Sequence, residues 1–199
     1  MGFVTQLLYS QFFVTPPYPT HDFSGQTVIV TGSNVGLGFE AARHFARLNC
    51  AKLILAVRNT SKGEAAKESI LTTTKRTDDC IEVWPLDLLS HESVKAFAKR
   101  AQSLERIDVL LENAGVSGVP KFSLHDGFET TVQTNVISTL LLALLLLPKL
   151  RETAEKSKTV PHLSIVTSEM HHMARFPERD APDVYAALNE EKRFNALDR

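Results

Sequence analysis

The chain has 199 residues, 43% hydrophobic and 23% charged, which is enough apolar material for one sizeable core. A formal net charge of -1 gives no electrostatic case for a nucleic-acid partner or an anionic membrane surface, and neither is expected. Two cysteines, Cys50 and Cys80, are too few for a disulfide framework and point to the reducing cytoplasm.

In chain order, the stretch from Gly2 to Val14 carries Phe3, Leu7, Leu8, Phe12 and Phe13. It lacks the basic start and small-residue cleavage site of a secretory signal, so it reads as a surface-packing arm. Pro16-Pro17-Tyr18-Pro19 sets this arm apart, dividing the chain into an arm, residues 1–24, and one domain, residues 25–199. No internal repeat is visible. Thr27, Val28, Ile29 and Val30 form a β-branched run that predicts a buried strand. The loop Thr31-Gly32-Ser33-Asn34-Val35-Gly36-Leu37-Gly38 comes next, and then Ala41, Ala42, Phe45, Ala46 and Leu48 recur at helical spacing. Strand, glycine turn and helix in that order make a phosphate cradle: Gly32 permits the turn, Gly36 lets backbone approach a pyrophosphate, and Gly38 lets the helix pack closely. Gly32, Ser33, Asn34, Gly36, Leu37 and Gly38 are the candidate cofactor contacts of this loop.

A second strand, Leu53 to Val57, ends at Arg58, roughly 20 residues after the loop, where an acidic residue would bind the ribose hydroxyls of NAD. Arginine there favours NADP. Lys62 is either a second cation for the 2′-phosphate or a solvated lysine at a helix start. A helix from Gly63 to Thr74 and a strand from Ile81 to Leu86 lead to Asp87, whose carboxylate either accepts from the adenine amino group or caps the next helix. That helix spans Ser90 to Leu104 with Ser90 as N-cap, and is followed by a strand from Asp108 to Glu112, a helix from Thr130 to Leu150 and a strand from Leu163 to Thr167. The leucine run Leu140 to Leu147 is shorter than the roughly 20 residues of a spanning helix. It predicts a buried helix that Pro148 kinks or ends. Alternating strands and helices imply an α/β fold, a doubly wound parallel sheet of order 3-2-1-4-5 with its ligand crevice at the carboxyl ends of the strands.

Thr31-Gly32-x-x-x-Gly36-x-Gly38, Asp87-Leu88, Asn113-Ala114-Gly115, Asn135 and Ser168 stand in the order and at the spacing of the short-chain dehydrogenase/reductase family, which the chain resembles from Gly25 to about Arg199. Arg58-Asn59-x-x-Lys62-Gly63 and Ser168-x-x-His171-His172 resemble the retinol-dehydrogenase-like branch and its fungal relatives, which mostly prefer NADP. The resemblance implies a Rossmann domain that transfers hydride between NADP and a small apolar carbonyl or alcohol substrate, in secondary metabolism. It implies that Asn113 steadies the sheet and borders the adenine ribose, with Glu112 in place of the first asparagine of the family motif. It makes Asn135 the holder of a relay water, the alternative being an asparagine satisfied by backbone, and it makes Ser168 the hydroxyl that bonds the substrate carbonyl.

The family's Tyr-x-x-x-Lys proton donor does not follow Ser168. The tyrosine there is Tyr185 with Asn189 four residues on, and Ala187 to Lys192 resembles the stretch that precedes the pair in the family. The expectation is a chain truncated just before the pair, lacking the family's C-terminal helix and strands, with an apolar fifth strand at an exposed edge and association into a homo-oligomer. A catalytically silent NADP-binding protein and a non-functional remnant are the alternatives. His171 and His172 are adjacent, with no ligand set nearby, so no metal site is expected.

Overall fold

The β-branched run forms β1 (Thr27–Thr31), the centre of a five-stranded parallel sheet, in a computed structural model that describes residues 3–172, 174–196 and 198. The other strands are β2 (Lys52–Val57), β3 (Ile81–Pro85), β4 (Val109–Glu112) and β5 (His162–Ile165), in the order 3-2-1-4-5. In-register pairs such as Val30 with Leu55 and Val30 with Leu111 fix β1 between β2 and β4.

Strand alternation sorts the sheet into two faces. Ile29, Ile54 and Leu110 join the core under α4 (His91–Gln102) and α5 (Thr139–Ser157), with Val94, Phe97, Leu142 and Leu146 opposite them. Val28, Val30, Leu53 and Leu55 join the core under α2 (Gly36–Arg47) and α3 (Thr60–Thr74), with Ala42, Ala46, Ala66 and Ile70 opposite them. Parallel strands need crossover helices, and placing these on both faces buries β1 and β2 almost completely. Both cysteines are free thiols in the second core, and burial pushes the Cys50 thiol up to about 12.

Several boundaries move for local reasons. α3 starts at Thr60 rather than Gly63, because the Asn59 side chain accepts from the Lys62 N–H and caps it. α4 starts at His91 behind Ser90, whose side chain accepts from the Ser93 N–H. The segment expected as one helix from Thr130 is a single α turn (Thr130–Val132), then a π-helical stretch (Gln133–Ser138), then α5. α5 runs through Pro148 to Ser157, so the proline does not end it. Its leucines are not uniformly buried either: Leu142, Leu146 and Leu150 face the core, while Leu140, Leu144 and Leu147 are exposed.

From Thr130 to Ser157 this helical segment is long and apolar enough to cross a membrane, yet it lies against α4 and about half of it is buried in the fold. A two-stranded hairpin, Leu124–His125 with Phe128–Glu129, and a short helix α6 (Val184–Leu188) were not expected. The N-terminal stretch forms α1 (Phe3–Phe13); Gly2 lies outside the described residues. Phe12 and Phe13 are each 75% exposed, so this end of the helix displays its rings to solvent instead of packing them on the domain. Its tether is fixed at Tyr18, which receives the Arg47 guanidinium over its ring at 4.3 Å and meets the His44 ring edge-on.

Candidate active site and cofactor cleft

The carboxyl ends of β1 to β4 open into a cleft of about 440 Å³ lined by Gly32, Asn34, Arg58, Lys62, Asp87 and Asn113, among other residues. Five of the positions expected from sequence to touch a cofactor after β1, β2 and β3 therefore share one cavity with the asparagine after β4. The wall is completed by Asn59, Leu88, Ala114 to Val116, Thr130 and Thr134. Of these, Thr134 is the residue that sequence reasoning missed most plainly; it lies in the π-helical stretch and its Oγ1 is buried with no hydrogen-bond partner.

The glycine loop is locked to β4 by a small polar network. Thr31 Oγ1 accepts from the backbone N–H groups of Asn113 and Ala114 at 3.0 and 2.9 Å, and Asn113 Nδ2 donates to the Thr31 carbonyl at 3.1 Å. A Cβ on Gly38 would collide with Asn113 Nδ2 and lie 2.6 Å from the Gly32 carbonyl oxygen. Gly38 thus permits the loop to close on Asn113, where the sequence suggested contact between helix and strand. A Cβ on Gly32, at φ +65°, would come within 2.9 Å of the Ala114 Cα.

α2 begins without a side-chain cap: Val35 at its N-cap position makes no capping bond. Its first backbone N–H groups are open to an anion, and nothing lies within 4 Å of where a Gly36 Cβ would stand. These features fit the pyrophosphate of a dinucleotide. Ser33 differs from expectation, because it is fully buried behind the loop, away from the cleft wall, with its Oγ lacking a partner. Leu37 points to solvent at 78% exposure, so only its backbone is suited to a ligand.

Asp87 uses Oδ1 to accept from the Leu89 N–H at 3.0 Å, a turn bond that orients the carboxylate at the cleft wall. The first helical position behind it belongs to His91, and the cap is Ser90, so the helix-cap reading of Asp87 does not hold. Asn135 is satisfied by backbone: Oδ1 accepts from the Val116 N–H at 2.9 Å and Nδ2 donates to the Val116 carbonyl at 2.8 Å. That clamp ties the π-helical stretch to the loop after β4. Ser168 is exposed beyond β5, and its carbonyl accepts from His171 Nδ1 at 2.7 Å. Neither Asn135 nor Ser168 lines the cleft.

Glu112 ends β4 at 2% exposure, and neither carboxylate oxygen has a hydrogen-bond partner. Burial pushes its carboxyl up to about 8, so it is neutral at pH 7. Tyr185 sits away from the cleft, against Phe128 of the hairpin with ring centroids 5.8 Å apart. Asn189, four residues on, bonds the same hairpin, accepting from the Glu129 N–H and donating to the Gly127 carbonyl.

Residues 26–172 match the family model described as short chain dehydrogenase. The short chain dehydrogenase/reductase dmxR8 of Cryptosporiopsis sp. is 47% identical over 193 residues, covering 96% of this chain and 58% of that protein. The short chain dehydrogenase sol3 of Alternaria solani is 44% identical, covering 99% of this chain and 67% of its own length. A short chain dehydrogenase from Escherichia coli CFT073, solved in complex with NADPH, superposes with a TM-score of 0.61 at 26% identity, covering 87% of this chain and 69% of that one. The chain spans between half and two thirds of the length of the curated relatives it matches.

Proposed function

The chain belongs to the short chain dehydrogenase family, and on that premise we propose that it binds NADP(H) in the cleft over β1 to β4 and serves an oxidoreductase acting on a small apolar carbonyl or alcohol, in secondary metabolism. The observation that carries this reading is the convergence of Arg58, Lys62, Asp87 and Asn113 with the glycine loop on one cavity wall. The uncapped N-terminus of α2 takes the pyrophosphate. Arg58 and Lys62 stand after β2 to receive the 2′-phosphate, a role for which no acidic residue competes at that strand end. Asp87 and Leu88 border the adenine.

When bound, the cofactor supplies the hydride donor or acceptor. This chain's own residues bind and orient it: Asn113 holds the loop, and Asn135 holds the segment after β4 through Val116. Ser168 is assigned to the substrate carbonyl and Asn135 to the proton relay by resemblance; Asn135 would serve the relay through its backbone, since Val116 occupies both ends of its amide.

Titrating the purified chain into NADPH and following nicotinamide fluorescence tests the binding. Enhancement is expected, with NADPH favoured over NADH, and Arg58→Ala is expected to lose that preference by roughly tenfold or more, the scale of a lost charge-assisted phosphate contact. A preference unchanged in Arg58→Ala defeats the NADP assignment, and no enhancement defeats cofactor binding.

A further inference from the structure

Glu112 is the one carboxylic acid of the described residues with both oxygens buried and unpartnered, and nothing in the cofactor reading uses it. A buried carboxyl without hydrogen bonds is costly, more so when charged. Its position in the sheet gives that cost a meaning. Arg58, Lys62 and Asp87 follow β2 and β3, so the phosphate and adenine end of the cleft lies on that side of β1. The remainder of an extended dinucleotide must cross β1 toward β4 and β5. Glu112 ends β4 on that side, buried directly behind Asn113 of the cleft wall. It registers with Ile165, three residues before Ser168, and it adjoins Asn113, which holds Thr31 and Gly32 of the loop.

Building on the NADP(H) reading above, we infer that Glu112 links proton binding to the redox state of the bound cofactor. With Glu112 protonated, the site favours the neutral nicotinamide of NADPH; with Glu112 ionised, it favours the cationic ring of NADP+. Binding NADP+ then drives the step Glu112–COOH to Glu112–COO⁻ plus a proton released to solvent, with no electrons moved and the cofactor unchanged. Binding NADPH leaves the proton in place.

The surroundings leave the carboxyl without a competing charge. β1 carries no ionisable side chain, and the sole one on β5, His162, registers with Val109 at the opposite end of β4. On the covering helices, the π-helical stretch has none. The charged residues of α5 occupy its C-terminal half, over the start of β4, where Thr153 Oγ1 accepts from the Ile107 N–H. On α4, His91 lies beside Asp126 of the hairpin loop, Glu92, Lys95 and Lys99 are exposed, and Arg100 caps Trp84 beside Glu82. Glu129, at the base of the hairpin, is committed to the Thr131 and Val132 N–H groups. A unit positive charge arriving in a poorly screened cleft is thus felt at Glu112 with little offset, on the order of tenfold in its proton affinity.

Calorimetric titration of the chain with NADP+ and with NADPH at pH 8, each in two buffers of different ionisation enthalpy, reads the proton directly. The 2′-phosphate is common to both cofactors and cancels in the difference. The expected result is proton release with NADP+ and not with NADPH. A NADP+ to NADPH affinity ratio rising on the order of tenfold from pH 7 to pH 9 should accompany it. Both effects should vanish in Glu112→Gln, and Glu112→Asn serves as the second variant should the glutamine form fail to fold. Equal proton release for the two cofactors, or a difference that survives in the variants, overturns the inference while leaving cofactor binding intact. Absence of any binding heat removes the NADP(H) reading and this inference with it.

Discussion

Gly38 shows how little room a single residue has at this site. Its absent side chain leaves the space that Asn113 Nδ2 and the Gly32 carbonyl occupy, so Gly38→Ala must force the loop off β4. Overpacking of this kind costs roughly 1–3 kcal/mol, and the variant should melt several degrees lower and lose NADPH fluorescence enhancement together. Glu112 makes a separate prediction about pH. Its carboxyl is raised in the folded state from 4.5 to about 8, so the folded protein holds a proton that the unfolded chain gives up. The stability this contributes is present below about 4.5 and is lost as pH rises through about 8, a swing on the order of 5 kcal/mol over the full window. Urea midpoints measured from pH 5 to pH 9 should fall with pH in the native chain and fall much less in Glu112→Gln. A flat profile in the native chain would show that Glu112 finds a partner or solvent. The sequence marks position 112 as a departure from the family motif, but burial without a partner is a property of packing and is invisible in a string of residues.

At the scale of elements, the strands were legible because β-branched runs bounded by turn residues have few alternatives in a doubly wound sheet. β1 and β2 appear where Thr27 to Val30 and Leu53 to Val57 predict them. A helix start is legible where the capping serine stands directly before the apolar periodicity, as at Ser90, and is displaced where the cap stands one turn before it, as at Asn59. Removing that cap by Asn59→Ala should cost about 1 kcal/mol, read as a lower urea midpoint, and should loosen the first turn of α3 that carries Lys62. Pro148 misled for the opposite reason. Its exposed ring side and the flanking leucines let α5 continue, since burial of Leu142, Leu146 and Leu150 outweighs one missing backbone bond. Replacing it by alanine restores the donor, and Pro148→Ala should stabilise the chain by about 1–3 kcal/mol in the same assay. The hairpin and α6 are too short for periodicity to register, so their contacts, including the Asn189 bonds to the hairpin, emerge only in three dimensions.

At the scale of the molecule, β5 is the edge of the sheet among the described residues, and all four of its residues are exposed, with Leu163 at 38% and Ile165 at 36%. An apolar edge of this kind is a template for pairing with another chain. The other edge strand, β3, is guarded by charge: Glu82 is bonded to Lys52 and Trp84, with Arg100 close by. Light scattering on the purified chain should therefore report species larger than a monomer, and Ile165→Lys should shift the distribution toward monomer. A monomer in the unmodified chain would mean that β5 is covered from within.

The π-helical turn before α5 has a consequence of phase. Leucines occupy both the inward and outward faces of α5, so apolar content alone does not tell the helix which way to turn. One residue more or fewer between Thr130 and Thr139 would rotate everything beyond it by about 100° and still offer leucines to the core. The wide turn and the Asn135 grip on Val116 act as an index mark that selects one rotation. The Asn135 side chain thereby decides which leucines the molecule shows to the outside.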